Sequence, residues 1–212
     1  MTPYIIHLSR IDSSYSSAME VFLSLKAYGF SPVLFEGTYG DDAEELFLKE
    51  NRLLLETDSK SIKFNSPGVK GCFYSHYQLW QLCVEKNESI MIFEDDVKFY
   101  RNFTPVDFDD VLVLSINYDW KVLDFLKTYL EESHSLSTTV LYNQPYMPGA
   151  SGYAITPQAA KKLIDTYKNS YLPADWAINS SICNIKIHPQ LMGRSKTMDE
   201  KESLTRLKIW KK

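Results

Sequence analysis

No apolar run in this sequence approaches the roughly 18 to 20 residues that a membrane span needs, which excludes an ordinary transmembrane helix. The opening stretch, MTPYIIHLSR, has neither a basic n-region nor a long h-region, so no signal peptide is expected and a cytoplasmic location is. Cysteine is sparse: Cys72, Cys83 and Cys183 are odd in number and show no metal-like pairing, as expected of buried reduced thiols. Neither a G-x-G-x-x-G fingerprint nor a Walker loop occurs, which counts against a dinucleotide or P-loop site. Strong basic charge is missing as well. The net charge of −4 argues against a nucleic-acid partner, whose capture rests on phosphate neutralisation. Three N-x-S/T sequons, at Asn87, Asn102 and Asn179, read as chance matches without a secretion signal.

What the 212 residues do contain is ample core material, 44% hydrophobic and 14% aromatic, enough for one good-sized domain. Short apolar runs at Tyr4–Leu8, Pro32–Phe35, Ile90–Phe93, Val111–Ile116 and Ile185–His188 read as strands, and Leu136–Tyr142 is β-prone. Between them lie stretches of helical character: Ser9–Phe30, DDAEELFLKENRLLLE (41–56), GCFYSHYQLWQLCVEKN (71–87), KVLDFLKTYLEESH (121–134), TPQAAKKLIDTYKNS (156–170) and LPADWAINSSI (172–182). The alternation predicts an α/β fold with a mainly parallel central sheet flanked by helices, spanning residues 1–195. In such sheets ligands sit beyond the carboxyl ends of the strands. The stretch from Gly193 to Lys212 carries seven Lys or Arg against three Asp or Glu. The tail 196–212 is therefore either a packed terminal helix with a solvated basic face or a peripheral contact to an anionic membrane surface.

One stretch raises a chemical question. In SIMIFEDDVKFY, a buried-looking strand runs into Glu94, Asp95 and Asp96, three like charges whose mutual repulsion gains folding nothing. Strand alternation sends Glu94 and Asp96 to one side and Asp95 to the other. Two carboxylates on one side are hard oxygen ligands suited to Mn²⁺ or Mg²⁺ with bound phosphates; a solvated acidic turn is the plain alternative.

FEDDV, together with GCFYSHYQLW (71–80) upstream and GASGYAIT (149–156) and PAD (173–175) downstream, resembles glycosyltransferase family 25, which includes lipooligosaccharide and collagen galactosyltransferases. Two departures are visible: the asparagine expected in the first strand is His7, and Asp12-Ser13-Ser14 largely replace the basic residues that follow it. The resemblance implies a GT-A-type, Rossmann-like fold. It also implies inverting transfer of a hexose, galactose first, from a UDP-sugar to a glycan or glycolipid acceptor of a surface glycan such as lipooligosaccharide. On this reading Asp96 leads as ligand of Mn²⁺ or Mg²⁺, Glu94 assists and His188 is a further candidate. Asp175, at a helix start after Pro173, is the catalytic base, with Asp119 as a spare and helix capping as its simpler role. Ile6, His7, Leu8, Ser9 and Glu36 would hold the uracil or ribose. Ser75 and His76 would line the donor site or brace the acids beside Asp95. Gly149, Gly152, Tyr153 and Asn117 would face the sugar and acceptor. Two other chemistries could use the same acids: a metal-dependent phosphoester hydrolase, or a sugar transferase acting on modified DNA.

Overall fold

The computed structural model describes residues 1–54, 65–99, 102–103, 105–116, 140–141, 145–188 and 193–195. Asn117, Asp119, the 121–134 stretch and the basic tail lie outside them. The α/β reading holds. Strands β1 (Thr2–His7), β2 (Val33–Glu36), β4 (Ile90–Glu94), β6 (Val111–Ile116), β7 (Val140–Leu141), β8 (Gly152–Ile155) and β10 (Ile185–Ile187) form a sheet in the order β2-β1-β4-β8-β6-β10-β7. Strand β11 (Gly193–Ser195) extends it by pairing with β6 and with β5 (Val97–Phe99). The expected parallel pairing is found for β1–β2, β1–β4 and β6–β10. Strand β8, in the middle, runs antiparallel to both neighbours, so the sheet is mixed. A separate two-stranded sheet joins β3 (Leu53–Leu54) to β9 (Ser170–Tyr171).

Side-chain alternation divides the core. Tyr4, Ile90, Ile92, Val111, Val113, Tyr153 and Ile155 face one side, under helices α3 (Pro67–Lys86) and α4 (Pro157–Thr166). Ile5, Met91, Phe93, Leu112, Leu114 and Ala154 face the other, under α1 (Asp12–Ala27). Both faces are covered, which is why the central strands read as unbroken apolar runs.

Several helix boundaries differ from the sequence reading. Helix α3 begins at Pro67 rather than Gly71: Ser66 Oγ accepts the Val69 amide at 3.3 Å, and proline at the first position loses no hydrogen bond. Helix α2 (Gly40–Lys49) stops well before Glu56. Asn51 takes a left-handed φ of 52°, and the buried Arg52 guanidinium hydrogen-bonds the Tyr167 carbonyl and pairs with Glu50. That anchor turns the chain into β3. Helix α5 (Ala174–Ala177) is a single turn, shorter than the 172–182 reading.

Candidate active site

Four segments converge where β4 ends. Because Ile90 and Ile92 point toward α3, Glu94 continues that side, and its Oε1 lies 3.7 Å from Cys72 Sγ and 3.5 Å from His76 Nε2. Asp95 follows Met91 and Phe93 toward α1, where its carboxylate accepts the Ser14 hydroxyl. Ser14 Oγ in turn accepts the Leu8 amide at 2.9 Å, tying the β1–α1 loop to the acids. Burial pushes Asp95 up to about 7, against the Ser14 hydrogen bond and with help from Asp96 and Glu94.

The Cys72 thiol reports what surrounds it. Burial pushes it well above its ordinary range, and the charges of Glu94, Asp175 and Asp96 push it further. Acids from β4, from the turn after it and from α5 therefore act on one sulfur atom. Asp175 lies in the first turn of α5, and its carbonyl accepts the Met147 amide at 3.1 Å. The adjacent Trp176 stacks on Tyr146 with ring centroids 4.7 Å apart.

Behind the acids, His76 is fully buried, with Nδ1 2.9 Å from Tyr153 Oη; that same oxygen accepts Trp80 Nε1–H at 2.9 Å. Ser75 acts elsewhere: its Oγ accepts the Thr38 amide and donates to the Gly71 carbonyl, each at 2.8 Å. It braces the β2–α2 loop, not the acid cluster.

That loop and the β1–α1 loop enclose an open pocket of about 580 Å³, lined by Ser9, Arg10, Glu36, Thr38, Tyr39 and Gln78 among others. Glu36 ties the two loops, accepting the Ser9 amide at 3.0 Å and the Tyr39 hydroxyl at 2.8 Å. Burial raises Glu36, but those hydrogen bonds and His7 outweigh it and hold the carboxylate below its usual range. The Arg10 guanidinium lies 3.6 Å above the Tyr39 ring.

A family model described as "Glycosyltransferase family 25 (LPS biosynthesis protein)" matches residues 2–178, which include every segment of this site described above. The chain belongs to glycosyltransferase family 25. It is 31% identical over 188 residues to a procollagen lysyl hydroxylase and glycosyltransferase of Acanthamoeba polyphaga mimivirus, covering 81% of this chain and 20% of that protein. It is 32% identical over 121 residues to the lipooligosaccharide biosynthesis protein lex-1 of Haemophilus influenzae, covering 51% and 39%. It is 26% identical over 141 residues to procollagen galactosyltransferase 1-A of Xenopus laevis, covering 62% and 23%. The chain thus spans well under two thirds of each of these relatives.

Among the residues expected to serve this family 25 domain, Glu94 lies against Cys72 and His76, Asp95 against Ser14, and the charges of Asp96 and Asp175 reach the Cys72 thiol. Ser9 and Glu36 line the pocket at the ends of β1 and β2, with Ile6 and His7 packed behind it. His7 is 7% exposed, its Nε2 3.8 Å from Glu36 Oε2 and its ring edge-on to Tyr15. His188 directly follows β10 and is fully buried, its amide donating to the Val113 carbonyl at 3.0 Å and its ring 5.5 Å from Phe103. Gly152 and Tyr153 are packed into the sheet instead of facing a cleft. A Cβ on Gly152 would lie 2.7 Å from Ser115 Cβ, and Tyr153 is fully buried with its hydroxyl on His76 and Trp80. Gly149 adopts a φ of 96°, which favours glycine for backbone reasons alone.

The sequence reading missed Cys72, Ser14, Arg10 and Tyr39. Cys72 and His76 stand four residues apart on a helix, the spacing of same-face neighbours, and that was the available signal. Ser14 had none, because only the fold brings it to Asp95.

Proposed function

We propose that this domain transfers a hexose, galactose first, from a UDP-sugar to a saccharide acceptor of a surface glycan, with inversion at the anomeric carbon. The observation that carries this reading is that the charges of Glu94 and Asp96, at the end of β4, and of Asp175, on α5, all act on the Cys72 thiol. Among the described residues, the ring of His76 rather than a lysine or arginine lies against Glu94, with Nε2 3.5 Å from Oε1. Such a donor set of carboxylate oxygens fits Mn²⁺ or Mg²⁺, with Asp96 as the leading ligand and Glu94 assisting. When bound, the cation supplies charge neutralisation for the departing diphosphate.

Asp175 takes the proton of the acceptor hydroxyl as that oxygen forms its bond to C1; the C1–diphosphate bond breaks on the opposite face and UDP leaves. The pocket between β1 and β2 receives the nucleotide, with Tyr39 and Arg10 as a flat face and Glu36 and the Ser9 backbone as polar contacts. The name of the lipooligosaccharide biosynthesis relative supports a glycan acceptor, and that of the procollagen galactosyltransferase supports galactose as the sugar.

The test is UDP release with and without acceptor across a panel of UDP-sugars. Acceptor-stimulated release that fails in Asp96→Ala supports the reading. Acceptor-independent hydrolysis of the diphosphate would replace it with a hydrolase.

A further inference from the structure

We propose that Cys72 Sγ, His76 Nε2 and Glu94 Oε1 form a second cation site, for a thiophilic divalent ion of the zinc type, clamping α3 to the end of β4. This does not rest on the transferase reading: the ligand set binds zinc whatever the domain transfers.

The geometry is that of a ligand cage. The three atoms lie within 4.8 Å of one another, with Sγ–Oε1 at 3.7 Å and Nε2–Oε1 at 3.5 Å. Tetrahedral zinc with bonds of about 2.0 to 2.3 Å holds its ligand atoms about 3.3 to 3.8 Å apart, and both separations to Oε1 fall in that range. His76 is fully buried, and Nε2 makes no hydrogen bond although it faces Glu94. A buried ring nitrogen left unsatisfied destabilises the fold unless it has another use. The opposite nitrogen is already oriented: Nδ1 sits 2.9 Å from Tyr153 Oη, which Trp80 holds in place. That outer hydrogen bond fixes the ring, and in the tautomer whose Nδ1–H donates to Tyr153 Oη the Nε2 lone pair is left for a metal, the usual support of a metal-binding histidine.

Ligand softness separates this site from the one proposed at Asp96. Thiolate and imidazole select zinc or cobalt, and carboxylates alone select manganese or magnesium. The Glu94 side chain is 27% exposed and provides the path of entry. Three protein ligands leave the fourth position to water, the open arrangement. Binding displaces the Cys72 thiol proton to solvent.

The probe is Co²⁺ titrated into the full chain without nucleotide. The expected result is a near-ultraviolet thiolate-to-cobalt charge-transfer band, displaced by about one equivalent of Zn²⁺. Cys72→Ser should lose the band and Cys83→Ser keep it; Glu94→Gln should weaken zinc by about tenfold or more. Where Cys72→Ser fails to fold, peptide mapping of the wild-type chain decides: Zn²⁺ should protect Cys72 from alkylation and leave Cys83 unchanged. Absence of the band in wild type, its persistence in folded Cys72→Ser, or unprotected Cys72 would each overturn the site. Loss of the band with acceptor-stimulated UDP release intact would overturn the zinc site and leave the transferase reading standing.

Discussion

At Tyr153 one hydroxyl serves two buried ring nitrogens, Trp80 Nε1 and His76 Nδ1, both at 2.9 Å. Tyr153→Phe keeps the ring and strips the partner from both, so it should cost about 1–3 kcal/mol. In a chain of this length that is a melting-temperature drop of roughly 2–4 °C for each kcal/mol. The same change frees the His76 ring, and turnover should fall with stability. A variant as stable as wild type would show that the hydroxyl is dispensable. Asp175→Asn differs in kind. The amide keeps the shape of the first turn of α5 but accepts no proton. It should spare donor binding, read by thermal shift with UDP-sugar, and lower turnover by roughly 10² to 10⁴. Lost donor binding with turnover retained would assign Asp175 to the donor site instead.

Helix α3 is the element on which both halves of the site depend. One end of it is pressed against the β2–α2 loop: a Cβ on Gly71 would meet the Thr38 carbonyl oxygen at 2.6 Å, and one on Gly40 would meet Pro67 at 2.7 Å. Gly71→Ala must therefore move Thr38 and Tyr39, the wall of the nucleotide pocket, and leaves the acid cluster on β4 in place. The expected outcome is a raised KM for the sugar nucleotide, a smaller change in kcat and about 1–3 kcal/mol of lost stability; a selective fall in kcat would contradict it. Those glycines also show why the start of α3 was hard to read. Pro67, Gly68 and Gly71 carry the composition of a turn, and their helical role comes from Ser66 as cap and from close packing of a loop distant in sequence. The strands themselves were legible, since Ile90–Phe93 and Val111–Ile116 are buried on both faces. The direction of β8 was not, because GYAI has the same apolar pattern whichever way it runs. In the site, Glu94 and Asp95 parted to opposite faces as alternation required. Their partners, Ser14 on α1 and Cys72 on α3, are fixed by tertiary packing and leave no local trace.

At the scale of the whole molecule, the sheet acts as a partition that leaves one acid on the α1 side in a poorly solvated place. Asp95 is pushed up to about 7 by burial first, then by Asp96 and Glu94, from the ordinary 3.8, and the Ser14 hydrogen bond offsets only part of this. Between those two values the native chain holds a proton that the unfolded chain gives up. The contribution of Asp95 to the stability of the metal-free protein must then fall as pH rises through that window, and it changes no further above it. One proton limits the slope from Asp95 to about 1.4 kcal/mol per pH unit. Other carboxylates work in the opposite direction: Glu36 and Glu50 are held below their usual range, and their contributions are lost as pH falls. The total curve therefore mixes signs, and the informative quantity is the difference between wild type and Asp95→Asn. Denaturant unfolding in chelator at about pH 4 and about pH 8 measures it. The asparagine variant should gain on wild type as pH rises, because it keeps a neutral group where the native chain is forced to bury a charge. Parallel curves for the two proteins would mean that Asp95 is ionised throughout and that solvent reaches it from the cleft.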